Sequence, residues 1–388
     1  MLPNVTFTTV PGGLGRLPDG EDHVSAIIMG LTASPAAWTD PVGKKYLSLQ
    51  EAEADLITDG SANYGLLWYF IREYFRIAGA SELYVFNQSH AGWSAQKFYD
   101  ITAGRVRQAY WYAATAFSGI AAFVGTLKTF VASMETLFAP LVVVTTVKDE
   151  TAVCDGGATN PDLRALDAQN VSVLVAGDNS GKGKAIATAL GIKYVPAGGT
   201  LLGALAKAAV HMDIAWVGKF PLQGESEMLK TKLCDGVDTD LASDAIKLAL
   251  HNKGYIFTLR HLGIAGSYFN SNHSATLATS DFAYINDNRT MQKAKRGIRA
   301  ALLPDLNSPL TVESSGKLSP ETVKYFENKV DNVIRSMVSA GELSGGQAIV
   351  DPNQNVLSTS KLMVQARLIP RGVARFIDVH IGFTVSLG

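Results

Sequence analysis

The sequence predicts an α/β fold of mixed α+β character, in which mixed β-sheets are flanked by helices and an extended strand arm stands at each end. Three observations carry this. Short, nearly continuous apolar runs such as Pro140–Val147 and Val171–Gly177 have the pattern of strands covered on both faces. Helical stretches alternate with such runs, the β-α-β order of parallel pairs with right-handed crossovers. Finally, the chain closes on Arg375–Leu387, where Ile377, Val379, Ile381, Phe383, Val385 and Leu387 alternate with Asp378, His380, Gly382, Thr384 and Ser386. That is the period of a strand with one face buried, and at about 3.3 Å per residue it would reach roughly 35–40 Å, long for a globular strand. A terminal strand either pairs inside its own sheet or offers an open edge to another chain.

The elements follow in order. Residues 1–22 are rich in Pro and Gly and hold one short alternating piece, Val5–Val10, whose Val5 and Phe7 need a partner sheet because so short an arm builds no core. The first strong strand is His23–Gly30. Ser48 is an N-cap, with Glu51 completing a capping box, for a helix through Ile57. A second helix, Tyr64–Ala78, carries Leu67, Phe70, Ile71, Tyr74 and Phe75 on one side and is closed by Gly79. Glu82–Asn87 is the next strand. Residues 95–137 are expected to be helical with a break near Gly104. After strand Pro140–Val147 come a short helix at Asp162–Asp167, strand Val171–Gly177, helices near 182–190 and 200–210, and a strand at Ile214–Phe220. Residues 225–252 read as helical, and Tyr255–Arg260, Gly266–Asn270 and Phe282–Ile285 as a β-rich portion. A basic helix, Arg289–Leu303, is stopped by Pro304. Ser319 caps the next helix, with Pro320 at its first position and a stripe of Val323, Phe326, Val330, Val333 and Met337 running to Gly341. A polar loop, Glu342–Ser360, leads to strand Lys361–Ile369, and Pro370–Gly372 turns the chain into the closing strand.

The chain has 388 residues, 47% hydrophobic and 18% charged, with a net charge of −1. That suffices for two domains and excludes a nucleic-acid binder relying on bulk positive charge. Low charge with abundant small residues suggests that much of the surface is covered, by copies of the chain itself. Cys154 and Cys234 have no partner at metal-ligand spacing and are expected as reduced thiols. Met1–Gly13 has neither the basic nor the apolar region of a secretion signal. Ala109–Leu127 has no charge and the length of a membrane span, but its padding with Ala, Gly, Ser and Thr, followed by Lys128 and Glu135, predicts a helix buried in the protein or by neighbouring subunits.

No catalytic constellation survives inspection. Gly177–Lys184 follows a strand and opens a helix, the setting of a phosphate loop, but three residues rather than four separate Gly177 from Gly181, and Gly183 follows Lys182. A βα turn with a basic tip is expected. The glycine clusters Gly12–Gly15 and Gly198–Gly203 lack the dinucleotide fingerprint and read as tight turns. The seven histidines are scattered without metal-ligand spacing, and the Asp235, Asp238, Asp240 and Asp244 cluster lacks the ordered ligands of a calcium loop. No metal and no cofactor is therefore expected. The basic helix, with Arg289, Lys293, Lys295, Arg296 and Arg299, is either a solvated face or, in so neutral a chain, a surface for an acidic protein partner.

The order of these pieces resembles contractile tail sheath proteins, the family of contractile phage tails and related contractile injection systems. The resemblance rests on His23–Gly30 with its Pro-containing loop, the Ser48–Glu53 helix start, the aromatic helix leading to Glu82–Asn87, Tyr284–Arg296, the Ser319–Gly341 helix and the terminal strands, and it covers most of 20–100 and 255–388. It implies a non-enzymatic assembly protein that stacks as rings or helical strands around an inner tube. Arms at both ends add strands to sheets in neighbouring copies, and the extended lattice shortens to drive the tube through a target envelope. The implied partners are other copies, the inner tail tube protein, and baseplate and tail terminator proteins, with neither membrane insertion nor nucleic acid. The implied location is a virion tail or contractile injection particle assembled in the bacterial cytoplasm.

On that basis residues 1–22 are expected as an N-terminal arm, 23–254 as an α/β domain, 255–360 as a sheath C-terminal domain, and 361–388 as a strand arm packed on that domain and on neighbours. Val5, Phe7, Ile377, Val379, Ile381, Phe383 and Val385 are the candidate intersubunit strand residues. Arg289, Lys293, Arg296 and Arg299 are the candidate contact with the tube or a neighbour. The rival readings are a soluble α/β enzyme binding a phosphorylated ligand at Gly177–Lys184 and another tail component of tube or baseplate. Size and the two-arm layout favour the sheath.

Overall fold

A computed structural model of the chain describes residues 20–115, 117–147 and 154–383. Val5, Phe7 and Val385 lie outside the described residues, as does the Gly12–Gly15 cluster. In chain order the elements are β1 (Ser25–Met29), β2 (Gly43–Tyr46), α1 (Leu49–Ala54), α2 (Gly65–Ala78), β3 (Leu83–Asn87), α3 (Ala95–Thr102), β4 (Gln108–Thr115), α4 (Phe117–Thr136) and β5 (Val142–Val147). There follow β6 (Val171–Leu174), β7 (Ala176–Asp178), α5 (Gly181–Leu190), β8 (Val195–Pro196), α6 (Gly198–Lys207), β9 (Thr231–Leu233), α7 (Asp244–Asn252), β10 (Tyr255–Ile256), β11 (Thr258–Leu259), β12 (Tyr268–Phe269) and α8 (Ile285–Leu302). The last are α9 (Pro320–Ser339), β13 (Leu343–Ile349), α10 (Val356–Thr359) and β14 (Gln365–Pro370).

The mixed α/β architecture is as expected. A seven-stranded sheet in the order β10-β6-β5-β4-β1-β3-β2 forms the centre of the first unit. Every pairing in it is parallel except β2 with β3. Successive side chains pass to opposite faces, as the pleat requires. Ile27, Val85, Tyr110, Val144 and Leu174 pack under α2 and α6. Ile28, Phe86, Trp111, Val143 and Val173 pack with Phe98 of α3 and Ile120, Val124 and Phe130 of α4. Both faces are dry, which is why these strands read as unbroken apolar runs. The antiparallel edge strand β2 carries Lys44 and Lys45, and lysines on an edge discourage pairing with another sheet.

Two compact units divide at Arg296 and Gly297, within α8. The seven-stranded sheet continues past residue 254, since β10 pairs with β6, so Tyr255 and Ile256 belong with the first unit. In the second unit, α9 packs Phe326 with Leu318, Val350 and Val356. Its N-terminus is built as expected: Ser319 Oγ accepts from Thr322 N at 3.2 Å, with Pro320 in the first turn. β13 and β14 form a two-stranded antiparallel sheet.

Several expectations are corrected. The stretch 95–137 is not helical throughout, because Gln108–Thr115 forms the sheet's central strand β4. Tyr110, Trp111 and Tyr112 favour a pleated surface, and a continuous apolar run does not by itself separate a strand from a buried helix. Ile214–Phe220 is a set of turns, in which Asp213 Oδ1 accepts from Ala215 N and the Trp216 carbonyl accepts from Phe220 N. Of 225–252 only α7 is helical, Phe282–Ala283 forms no strand, and the polar loop after α9 contains β13. Gly198, Gly199 and Gly203 are not turn residues. They lie in α6, where a Cβ on Gly199 would stand 2.3 Å from the Phe70 carbonyl oxygen of α2. The capping box at Ser48 is displaced by one residue: Ser48 Oγ accepts from Glu51 N, but Glu51 Oε2 accepts from Leu47 N. Cys154 and Cys234 are not free thiols. They are buried and joined as a disulfide with Cα atoms 5.9 Å apart, a pairing concealed by a sequence separation of 80.

Candidate assembly surfaces

Beyond β14, as far as residue 383, the closing segment does not fold back as a strand on its own unit. Residues 371–383 carry no strand, and Phe376, Ile377, Val379, Ile381 and Phe383 are exposed, Ile381 at 96%. The arm is expected to pack on the C-terminal domain and on neighbouring copies; in the single chain these side chains stay exposed. Five large apolar side chains in eight residues face solvent, and each would gain about 1.5–3 kcal/mol if fully buried. The strand expected at Lys361–Ile369 is β14, Gln365–Pro370. It pairs only through β13 among the described residues, and its side chains from Gln365 to Arg367 are exposed.

The basic helix is α8, and its cations separate into two sets. Arg289 is buried and donates to the Ala208 carbonyl at 3.2 Å and the Asp22 carbonyl at 3.1 Å. Lys293 Nζ donates to Asp22 Oδ2 at 2.6 Å and Arg296 Nη2 to Asp22 Oδ1 at 3.2 Å. Three of the four candidate contact residues thus converge on one residue of their own chain, Lys293 and Arg296 on the Asp22 carboxylate and Arg289 on its main-chain carbonyl. Arg299, with Lys295, is exposed. Burial would raise the Asp22 carboxyl, but its bond to Lys293 and the charges of Arg289 and Arg296 hold it below the ordinary value. Burial lowers the Arg296 guanidinium to about 10. Glu21, beside it, pairs with Arg107 and with Arg105, so the entry to β1 is fastened by ion pairs on both residues. Asp22 was the missed residue. The only trace of it in the sequence is a pair of acids just ahead of the first strand, and nothing local says that it meets a helix some 270 residues on.

The Gly177–Lys184 turn is a βα turn as expected. The place where a phosphate would meet the start of α5 is taken by Asp178, whose Oδ1 accepts from Ser180 N at 2.9 Å and Met228 N at 3.0 Å. Tyr69 donates to its other oxygen, and burial raises the carboxyl to about 6. A Cβ on Gly183 would stand 2.6 Å from that oxygen, so this glycine makes room for a carboxylate. Lys182 reaches out to Asp59 at 2.5 Å. The aspartate cluster is likewise occupied internally, Asp240 with Arg260 and Asp244 with Lys247. Among the described residues no cluster of His, Cys, Asp or Glu has a metal-binding arrangement, and no helix is long and apolar enough to cross a membrane.

Comparison with known proteins accords with this geometry. The family DUF2586 matches in two parts, its N-terminal domain over residues 119–273 and its C-terminal domain over 281–388. No curated protein matches by sequence. Among solved structures, a chain of the anti-feeding prophage baseplate superposes with a TM-score of 0.65 at 16% identity, covering 99% of each chain. A chain of the contracted PVC sheath complex, an extracellular contractile injection system, gives 0.62 at 13% identity, over 98% of this chain and 99% of that one. The sheath tail protein of Desulfitobacterium hafniense gives 0.52 at 10% identity, over 95% and 100%. Identities this low speak to the fold, and the fold is shared end to end.

Proposed function

We propose that this chain, whose fold is that of a contractile tail sheath-like protein, is a structural subunit of a contractile injection system. In the finer reading it is the sheath subunit, polymerising around an inner tube and contracting to drive that tube through a target envelope. The carrying observation is the closing segment: an alternating apolar strand pattern that its own unit leaves uncovered. Such a segment is suited to adding a strand to a sheet in another copy, where main-chain bonds give attachment and alternate side chains fill pockets. Each bond contributes about 0.5–1.5 kcal/mol net, so a junction of several holds a lattice while the bodies it joins rearrange. A head-to-tail contact of this kind grows into helices or stacked rings rather than closing on itself. Of the candidate tube-facing residues, only Arg299 keeps an exposed position for such a contact; Arg289, Lys293 and Arg296 serve the body.

The test is negative-stain microscopy of the full chain and of a chain lacking residues 373–388. The full chain should form hollow, striated cylinders, and the shortened chain should remain a soluble body. Cylinders from the shortened chain would sink the reading of the segment as an intersubunit strand. A second reading, a baseplate component, draws on the likeness to a chain of the anti-feeding prophage baseplate. It predicts discrete rings rather than cylinders of open length.

A further inference from the structure

The two cysteines of the first unit lie on segments that the fold fastens separately. Cys154 opens the run that leads to a 3-10 turn at Leu163–Leu166. That run is held to the end of α7. Lys253 Nζ donates to the Gly157 and Asn160 carbonyls at 2.7 and 2.6 Å, and Leu163 N donates to the Lys253 carbonyl at 3.1 Å. Within it, Gly156 N donates to Asn160 Oδ1 at 2.7 Å, and Tyr255 OH donates to the Pro161 carbonyl at 2.8 Å. Cys234 follows β9, which pairs with β7. Its turn is closed by bonds from Gly236 N to the Leu233 carbonyl at 2.8 Å and from Leu233 N to the Val237 carbonyl at 2.9 Å. Lys193 Nζ donates to the Asp235 carbonyl at 2.9 Å.

None of these bonds involves sulfur. The folding chain therefore brings the two side chains together by hydrogen bonds and packing, and a pair so placed joins in an intramolecular step. The finished core then shuts the pair away. Cys154 is 1% exposed and Cys234 fully buried, in the apolar cluster that holds Leu163, Leu233, Leu250 and Tyr255. Thiol–disulfide exchange needs a thiolate and an approach to sulfur. An apolar core disfavours the thiolate and presents almost no sulfur surface to a small reagent.

We propose that Cys154 and Cys234 form a folding-gated redox lock. The form present when the core closes, dithiol or disulfide, is kept by the native chain whatever thiol or disulfide surrounds it later, and it changes when the chain opens. Where a low-molecular-weight disulfide is present during folding, one cysteine thiolate attacks it, forming a mixed disulfide and expelling one small thiolate. The second cysteine thiolate attacks the cysteine sulfur of that mixed bond and expels the other. Two electrons pass from the pair to the small disulfide, and the two protons the cysteines gave up end on the two small thiols. The stability that the bond supplies is thereby set where the chain folds. This reading does not depend on assembly.

The test uses the full chain as isolated. Its redox form is first read by labelling in denaturant with iodoacetamide and weighing the product. A disulfide form is then incubated with dithiothreitol, or a dithiol form with oxidised glutathione, across a series of urea concentrations from none to full unfolding. Conversion is counted by acid quench and mass spectrometry. In the absence of urea it is expected to be slower than in the unfolded chain by about a hundredfold or more, and to rise with urea in step with the unfolding seen by circular dichroism. A smaller ratio overturns the lock. So does conversion that runs to completion at urea concentrations where the chain is still folded, at a rate independent of urea.

Discussion

His23 shows how one residue can serve the fold through its main chain while its side chain weakens it. Its carbonyl accepts from Ser25 Oγ at 3.0 Å, Ser81 Oγ at 3.1 Å and Tyr74 OH at 3.2 Å, which ties the entry of β1 to α2. The imidazole is buried, and neither ring nitrogen has a hydrogen-bond partner among the described residues. Burial therefore lowers it from its ordinary value, against the pull of Glu82. The sign follows. A lowered imidazole leaves the unfolded chain binding more protons below about pH 6.5, so its stability is present above that pH and lost as pH falls through the folded value. His23→Leu keeps the carbonyl bonds and removes the titration. It is expected to stabilise the chain at pH 5 relative to the unaltered protein by about 1 kcal/mol more than it does at pH 7.5, read as the shift in urea midpoint. The Asp22 clamp beside it makes the opposite point. There a half-buried carboxylate accepts from Lys293 and Arg296, and removing it would cost both cations a shared partner while leaving the bond from Arg289 to the Asp22 main-chain carbonyl in place.

Between elements, the close approach of α2 and α6 decides how the first core is packed. Gly199 and Gly203 face the backbone of α2, and Gly198 faces the Tyr110 ring. Gly199→Ala drives a methyl into the Phe70 main chain, which cannot yield as a flexible side chain would. A loss of about 1–3 kcal/mol in denaturant unfolding is expected. Gly125→Ala on α4 is the control, because nothing lies within 4 Å of its added Cβ. That change should be neutral or stabilise by up to about 1 kcal/mol, as Ala outranks Gly within a helix. If both substitutions cost the same, the packing argument fails. The capped helices α1 and α9 were legible because a cap is local chemistry, a serine hydroxyl meeting an N–H three residues on. β4 was not legible, since its strand state comes from β1 and β5 on either side.

For the whole molecule, the Cys154–Cys234 disulfide spans the largest piece of chain bound by any covalent cross-link among the described residues. Closing a loop of 80 residues stabilises by about 4–5 kcal/mol in the chain-entropy account. Incubation with a thiol reductant is expected to lower the melting temperature by several degrees, and both cysteines should resist alkylation until the chain is reduced and unfolded. Ready alkylation of the native, unreduced chain would show that the two are thiols. The proposed assembly belongs to this scale too, because a segment left exposed in one copy is suited to burial against another.

By itself the sequence determined the alternation of buried strands and helices, the caps, and a last segment with a strand's period. Each of these depends on residues within a few positions of one another, where periodicity and hydrogen-bond chemistry act directly. Only the tertiary structure decided that 108–115 is the central strand, that the α6 glycines are contact points, that the basic helix turns three cations inward onto Asp22, and that the closing segment finds no cover on its own unit. Those outcomes are set by partners that lie far along the chain and by the competition of surfaces for burial, which no local pattern records.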